Sequence, residues 1–592
     1  MSHNPCEYPD NQASRQSLMG FVLDFHLCCR PGSSTRTNIH ACGISRVAAY
    51  VKTWSIVVGL ALTVLLSLPF ASMPARAGGS SPVTPLFDRQ LTGGKILHSS
   101  PVLADLDPGN GNGVEIVIGT LKTSSSEGNH PATLAAVRAD GTVWWEQTQV
   151  AGGSALGSIN STPAVGDIDG DGQPEIVVGM GGENYPRTHG GIAAFEADGT
   201  PKWYRETLDR TSPTGGSDGY ADGVFASPSI ADFNNDGEND VVVGAWDVRM
   251  YVLKGSDGTP LTEGNPDYDW PAEMLDTIWS SPAIANLDGD ASLDFVFGGD
   301  MSSGSACMDD GGMLRAMRYD ITFLPGFNTL HGCPPVGSTR SGHYGIMTEQ
   351  CLYSSPAIAD LDRDDKLEVV IGSGVCYCGG NWVKVWDSDG NLERTFSTDN
   401  SVFTSPALAD LNGDGYLDIV AGTESGTVYA WDYYSNTTLW SVNPKTCSGT
   451  WGMLIRSSPA VADIDGAHAG PEIVIGYDAE VTVLSADGQQ LTADSWSDPR
   501  PTLWVGISPV WSSPAVGDIN SDDQLEIIVG GNTSTDYYGH VLAWQWPNNP
   551  VSAPTAELPW PMFRRNALHW ASVLAPTLYV SKVYLPLIVK SH

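Results

Sequence analysis

One pattern, S-P-[AVS]-[VIL]-x-D-[LIF]-[DN]-x-D-x-x-x-[DE]-[IVF]-[IV]-x-G, recurs eight times with small departures, its copies beginning at Pro101, Pro163, Pro228, Pro282, Pro356, Pro406, Pro459 and Pro514. Copies start 50 to 74 residues apart, so the shortest spacing marks the bare unit and the excess is loop insertion. A unit of that size cannot bury its apolar faces alone; neighbouring copies must cover them. Within a unit, residues 162–168 alternate small and apolar side chains, and 175–180 (EIVVGM) form a β-branched run suited to a strand covered on both faces. A third run follows at 191–197, then an Asp-Gly turn, seen at Asp140-Gly141, Asp198-Gly199, Asp257-Gly258, Asp389-Gly390 and Asp487-Gly488. Asp-Gly is read as supplying the positive φ angles of a two-residue hairpin. A fourth strand often carries tryptophan, as at Trp144, Trp203 and Trp440. Four antiparallel strands in each of eight copies predict an all-β chain, a β-propeller of eight four-stranded blades. Seven blades plus one degenerate unit is the alternative.

The loop between the first two strands is acidic. In the second copy the spacing D-x-D-x-D-G-x-x-E places oxygens at Asp167, Asp169, Asp171 and Glu175. Oxygens at positions 1, 3, 5 and 9 of a tight loop suit Ca²⁺, which takes six to eight such ligands, and glycine at position 6 permits the bend. The ion offsets the repulsion among the acids. The same frame holds at Asp232, Asn234, Asp236 and Asp240, and at Asp410, Asn412, Asp414 and Asp418, both with glycine at position 6. It holds with Ala291 at that position for Asn286, Asp288, Asp290 and Asp294. Asp365 takes it for Asp360, Asp362, Asp364 and Glu368, and Asp523 for Asp518, Asn520, Asp522 and Glu526. The first loop, Asp105 to Glu115, carries two extra residues, which leaves its ligands open. The seventh has Ala467 at position 5 and is expected to bind weakly or not at all. The competing reading is a set of Asp/Gly turns that need no metal; six loops of one spacing favour calcium, in a role that pins the blades.

These units resemble FG-GAP, or VCBS, repeats, as in the integrin α-subunit propeller, over about residues 99–545. The apolar run, Asp-Gly turn and tryptophan also look like a quinoprotein-type blade, although no cofactor-binding motif of that group is present. Residues 560–570, WPMFRRNALHW, are similar to a segment found at the closure of such propellers, which implies a blade completed by strands from both termini.

The chain carries a formal charge of −38; the first 77 residues hold six Lys/Arg against three Asp/Glu, leaving −41 on the rest. Such a surface repels phosphate backbones and speaks against nucleic-acid partners. Ser55 to Phe70 is an apolar stretch of 16 residues with Lys52 before it and Ala75-Arg76-Ala77 after it, the layout of a secretory signal peptide. The expected division is a leader at 1–50 that arises from a misplaced start, a signal peptide at 51–77, the propeller at 78–570 and a tail at 571–592. An uncleaved membrane anchor is the rival for the apolar stretch. Export makes disulfides the reading for Cys307, Cys333, Cys351, Cys376, Cys378 and Cys447, with 15 possible pairings.

No HExxH or P-loop occurs in the sequence. Insertions at Met301–Leu352, Glu206–Val224 and Leu261–Thr277, and the tryptophan-rich Ser495–Trp511, are the places for ligand contacts. The expectation is an extracellular or cell-surface calcium-binding module that binds a protein or glycan in adhesion. A polysaccharide lyase or a lectin on the same scaffold is the alternative.

Overall fold

A computed structural model describes residues 85–108, 113–182, 186–209, 219–261, 277–301, 311–328, 330–331, 343–348, 351–374, 381–446, 454–464, 466–495, 498, 500–506, 509–532, 537–546, 561–566, 569 and 572–573. The expected leader and signal peptide, the tail beyond 573, most of the Met301–Leu352 insertion and five of the six cysteines lie outside them. Cys351 lies within them and is buried. No helix among the described residues is long and apolar enough to cross a membrane.

The described chain is all-β, with eight blades, which excludes the seven-blade alternative. Blade 1 comprises Val102–Ala104, Glu115–Gly119, Leu134–Val137 and Val143–Gln147; blade 2 comprises Ala164–Gly166, Glu175–Gly182, Thr188–Glu196 and Pro201–Glu206. Blades 4 to 7 repeat the plan, and blade 3 adds to its three strands a bridge between Leu253 and Pro260. The first strands of successive blades neighbour one another in a closed circle around the axis. Their second strands are buried from end to end, as at Glu115–Gly119 and Asp418–Gly422, because β-branched runs are covered by a blade on each face.

The Ser-Pro pair that opens each repeat is what closes this circle. The backbone N–H of Ser100 donates to Thr162 Oγ1 (3.1 Å), Thr162 to Ser227 Oγ (2.9 Å), Ser227 to Ser281 (2.8 Å) and Ser281 to Ser355 (2.9 Å). Ser355 donates to Ser405 (3.1 Å), Ser405 to Ser458 (2.9 Å), Ser458 to Ser513 (2.9 Å), and Ser513 returns to Ser100 (2.9 Å). One hydroxyl per blade thus satisfies one buried N–H of the preceding blade, and the last bond spans 413 residues of sequence. Ser281→Ala removes the acceptor of the buried Ser227 N–H and is expected to cost about 1–3 kcal/mol, measurable by urea unfolding.

Fourth-strand tryptophans staple blades from outside. The indole N–H groups of Trp145, Trp203 and Trp440 donate to the carbonyls of Ala197 (3.0 Å), Gly255 (2.6 Å) and Ala486 (2.7 Å) in the next blade. Each ring lies on the turn glycine of that blade; a Cβ on Gly199, Gly258 or Gly488 would stand 2.6 to 2.7 Å from it. In blade 1 the staple is Trp145, whereas Trp144 stacks beneath Arg138. The turns themselves differ from the expected two-residue hairpin. Only the glycine has positive φ (+78° at Gly141, +83° at Gly199), and a register shift follows it, so these are type I turns closed by a glycine bulge. The Asp140 carboxylate instead accepts from Thr142 N–H (2.8 Å) and Oγ1 (2.6 Å).

Closure joins strands from both ends of the chain in one blade, as expected, but not through residues 560–570. Blade 8, with Ala515–Gly517, Glu526–Asn532 and Tyr538–Gln545, takes its outermost strand from the N-terminal side, Phe87–Gly94. Residues 561–566 and 569 supply no strand to it. Instead Val516 N–H, on the innermost strand, donates to Pro561 O (2.7 Å), and Ser572–Val573 pairs in parallel with Ile358–Ala359, the innermost strand of blade 5. Between them Arg564, fully buried, donates to the carbonyls of Pro282 and Pro356 (2.9 Å to the latter), and His569 Nδ1–H donates to Pro228 O (2.8 Å). These described residues therefore tie blades 3, 4, 5 and 8 together at their innermost strands.

Candidate metal centres

In every copy the innermost strand ends just before loop position 1, and the loop's last acid, at position 9 except in the longer first and seventh loops, is the first residue of the second strand. The loop therefore emerges into solvent while its last acid stays wedged between blades. Glu115, Glu175, Asp240, Asp294, Glu368, Asp418, Glu472 and Glu526 are all buried. Each accepts from the backbone N–H of loop position 2, at 2.7 to 3.3 Å, from Leu361 to Glu368 at the short end and from Phe233 to Asp240 at the long end. Ile168 to Glu175, Leu287 to Asp294, Leu411 to Asp418 and Ile519 to Glu526 repeat the bond. That bond uses one oxygen. In Glu115, Glu175, Asp294 and Asp418 the other oxygen is buried without a hydrogen-bond partner among the described residues.

A buried carboxylate with one idle oxygen is costly unless it is protonated or faces a cation. Burial, reinforced by neighbouring acids, pushes Glu175, Asp294 and Asp418 up to about 7, and Asp240, Glu368 and Glu526 up to about 8. Each position-2 N–H opposes the shift without cancelling it.

Positions 1 and 3 point their carboxylates towards this acid in three loops. Asp167, Asp169 and Glu175 each offer an oxygen within 4.8 Å of the others, as do Asp360, Asp362 and Glu368. The third such group is Asp105, Asp107 and Glu115, in the loop whose ligands the sequence left open. Its two extra residues fall after position 3, so they leave the cluster intact; the Ser-Pro frame before it and the EIVIG strand after it were the available signal. In the loops of Asp232, Asn286, Asp410 and Asp518, one of the first two oxygen positions is asparagine, so the acids alone form no triad: Asn234, Asn286, Asn412 and Asn520.

Position 5 is placed differently. Asp171, Asp236, Asp290, Asp364, Asp414 and Asp522 each accept from the N–H two residues on, at 2.6 to 2.9 Å, and so brace the turn. Position 1 also holds backbone: Asp167 accepts from Gly170 and Gly172, and Asp410 from Gly413 and Gly415. Two loops contain a protein cation already. Lys202 reaches Asp169 (2.6 Å) and Glu196 (2.9 Å), and Arg318 reaches Asp288 and Asp290 (3.3 Å to the latter).

The bend at position 6 has positive φ at Gly172 (+85°), Gly237 (+93°) and Gly415 (+90°), and also at Asp365 (+67°) and Asp523 (+66°). The fourth loop lacks it at Ala291 and keeps only the position-4 bend, at Gly289 (+73°), which the other five share, as at Gly170 (+78°) and Gly413 (+76°). Left-handed backbone costs a side chain about 1 kcal/mol relative to glycine. Asp365→Gly and Asp523→Gly are each expected to raise the thermal midpoint, by roughly 0.5–1 kcal/mol of stability.

A family model described as an FG-GAP-like repeat matches residues 360–421 and 410–466, and one described as an FG-GAP repeat matches 160–194. No curated protein matches the chain. Among solved structures, rhamnogalacturonan lyase YesW is 16% identical, covering 82% of this chain and 95% of its own, with a TM-score of 0.42. BamB from Moraxella catarrhalis is 14% identical, covering 78% and 99%, at 0.41. The V. cholerae biofilm matrix protein Bap1 is 14% identical, covering 80% and 92%, at 0.38. At these scores none bears on function. The matched repeats coincide with blade 2 and with the run from loop 5 to loop 7, whose loops share the geometry above: the chain carries FG-GAP and FG-GAP-like repeats in an eight-bladed β-propeller.

Proposed function

We propose that this propeller is an exported, calcium-loaded binding or adhesion module, acting at the cell surface or in the surrounding medium on a protein or glycan. The observation that carries the calcium reading is the buried position-9 acid with an idle oxygen, repeated around the ring. Calcium is the fitting ion because every donor in these loops is a hard oxygen. Its role is structural, since the loops are spread around the circle and do not converge on one pocket. Disulfide bonding of Cys351 supports an oxidising, extracellular setting. The strongly acidic composition argues against nucleic acid as a partner. Buried Arg564 and the pairing of Ser572–Val573 along the innermost strand of blade 5 favour recognition at a surface over a reaction in a central tunnel.

The test uses purified protein, with calcium and after chelation, on intact cells and on a polysaccharide panel. Retention and polymer length are both recorded. Calcium-dependent retention without shortening is expected. Shortening of any polymer would overturn the binding reading in favour of a lyase.

A further inference from the structure

The residue three places before each repeat proline lies at the end of the innermost strand opposite the acidic loops, roughly 20 Å away along an extended chain. Six of the eight are aromatic: His98, Phe225, Trp279, Tyr353, Phe403 and Trp511. The other two are Asn160 and Arg456. Their side chains meet in a circuit. Trp511 lies 4.6 Å from His98, His98 6.0 Å from Phe225, Phe225 5.0 Å from Trp279, Trp279 5.2 Å from Tyr353 and Tyr353 5.8 Å from Phe403. The Arg456 guanidinium closes it, 4.7 Å from the ring centres of both Phe403 and Trp511. Trp246, from the turn after the second strand of blade 3, stacks on Phe225 at 4.1 Å.

Every aromatic of the circuit is half-buried, so each keeps an exposed portion around the axis. The floor is closed by the Ser ring and, below it, by Arg564 on the Pro282 and Pro356 carbonyls. The result is an aromatic dish on this face of the propeller.

A second observation points to a ligand. The indole N–H groups of Trp246 and Trp511 and both amide atoms of Asn160 are buried without a hydrogen-bond partner among the described residues. Buried tryptophan N–H groups ordinarily find an acceptor, and the Ser ring next to them is fully paired. Flat apolar faces beside idle donors and acceptors match a sugar ring, whose C–H faces stack on aromatics while its hydroxyls take hydrogen bonds. A small rotation of a half-exposed indole presents its N–H to such a hydroxyl. Charge selects among sugars. Arg456 is already paired with Glu424 (2.6 Å), and the chain as a whole carries −38, so a polyanion is repelled.

We propose that this dish binds a neutral glycan, on the face opposite the acidic loops. The proposal rests on the binding-module reading and adds its ligand class and its surface. The full protein in millimolar calcium is titrated with cellohexaose, laminarihexaose, mannohexaose and xylohexaose, and with oligogalacturonate as the anionic control. Tryptophan emission and calorimetry are followed. At least one neutral hexaose is expected to bind, and its affinity is expected to fall ten-fold or more in Trp279→Ala and in Phe403→Leu. Tyr434→Ala, in the exposed Tyr416–Tyr434 stack at the acidic-loop end, is expected to leave it unchanged. Circular dichroism checks that each variant is folded, and the milder Phe403→Leu decides if Trp279→Ala is not. Binding of no neutral hexaose, binding that survives the dish variants, or preference for oligogalacturonate would each overturn the proposal. Retention on cells without hexaose binding removes the dish proposal and leaves the module reading standing, with a protein as partner; loss of both removes both.

Discussion

In chelator the protein is expected to be less stable at pH about 8 than at pH about 6, and millimolar calcium is expected to reverse that order. Glu175, Asp294 and Asp418, pushed up to about 7, and Asp240, Glu368 and Glu526, pushed up to about 8, have ordinary values near 4 when the chain unfolds. Without metal the folded state therefore holds protons that the unfolded state releases. The stabilisation from those protons is complete below the unfolded values and is lost as pH rises through 7 to 8, at up to about 1.4 kcal/mol per pH unit for each group. Calcium needs the same acids ionised, so its binding expels protons and strengthens as pH rises. A site with a dissociation constant a hundred-fold below the free calcium adds about 2.7 kcal/mol, and several sites add together. Thermal unfolding at the two pH values, with calcium and with chelator, gives four midpoints that should cross. Identical midpoints with and without calcium at both pH values would remove the metal reading and leave the loops as turns.

The parts of this architecture legible in the sequence are those that each repeat encodes locally. The β-branched runs, the acidic loops and the blade count follow from residues within one copy, and eight copies average out the departures of any one. The parts that were not legible depend on contacts between copies or between distant segments. Ser281 reads as an ordinary strand-entry residue; its hydroxyl matters only because the Ser227 N–H of the previous blade arrives beside it. FDRQLTGG at 87–94 has no repeat signature, yet it pairs with Tyr538–Gln545 because the last blade lacks an outer strand of its own. The Asp140-Gly141 pair suggests positive φ at both residues, but the Asp140 carboxylate on Thr142 braces the turn and leaves the positive φ to Gly141. The aromatic dish is hidden in the sequence for a similar reason. Its members lie 50 or more residues apart and are unlike one another, and only their shared offset from the repeat proline aligns them.

Arg564→Ala is expected to be the most damaging single substitution outside the innermost strands, at about 3–5 kcal/mol. Its guanidinium donates to two blades at once, through Pro282 O and Pro356 O, with His569 O a third acceptor at 3.4 Å. Ser229 Oγ–H donates to the same Pro282 and His569 carbonyls, at 2.8 and 3.0 Å, so the acceptors form one shared network. Truncation leaves Pro356 O without this donor in a site that water does not reach, and it opens a cavity on the axis. A shape-keeping Arg564→Met should recover the packing share of the loss and none of the hydrogen-bonding share, which separates the two. Urea unfolding of the three proteins in saturating calcium measures both differences. Equal stability of Arg564→Ala and the parent would mean that the axial segment rides in the channel without bracing it. A loss in Arg564→Ala that Arg564→Met repairs completely would assign the effect to volume alone. The expected intermediate value for Arg564→Met places the segment as a hydrogen-bonded brace across blades 3, 4 and 5.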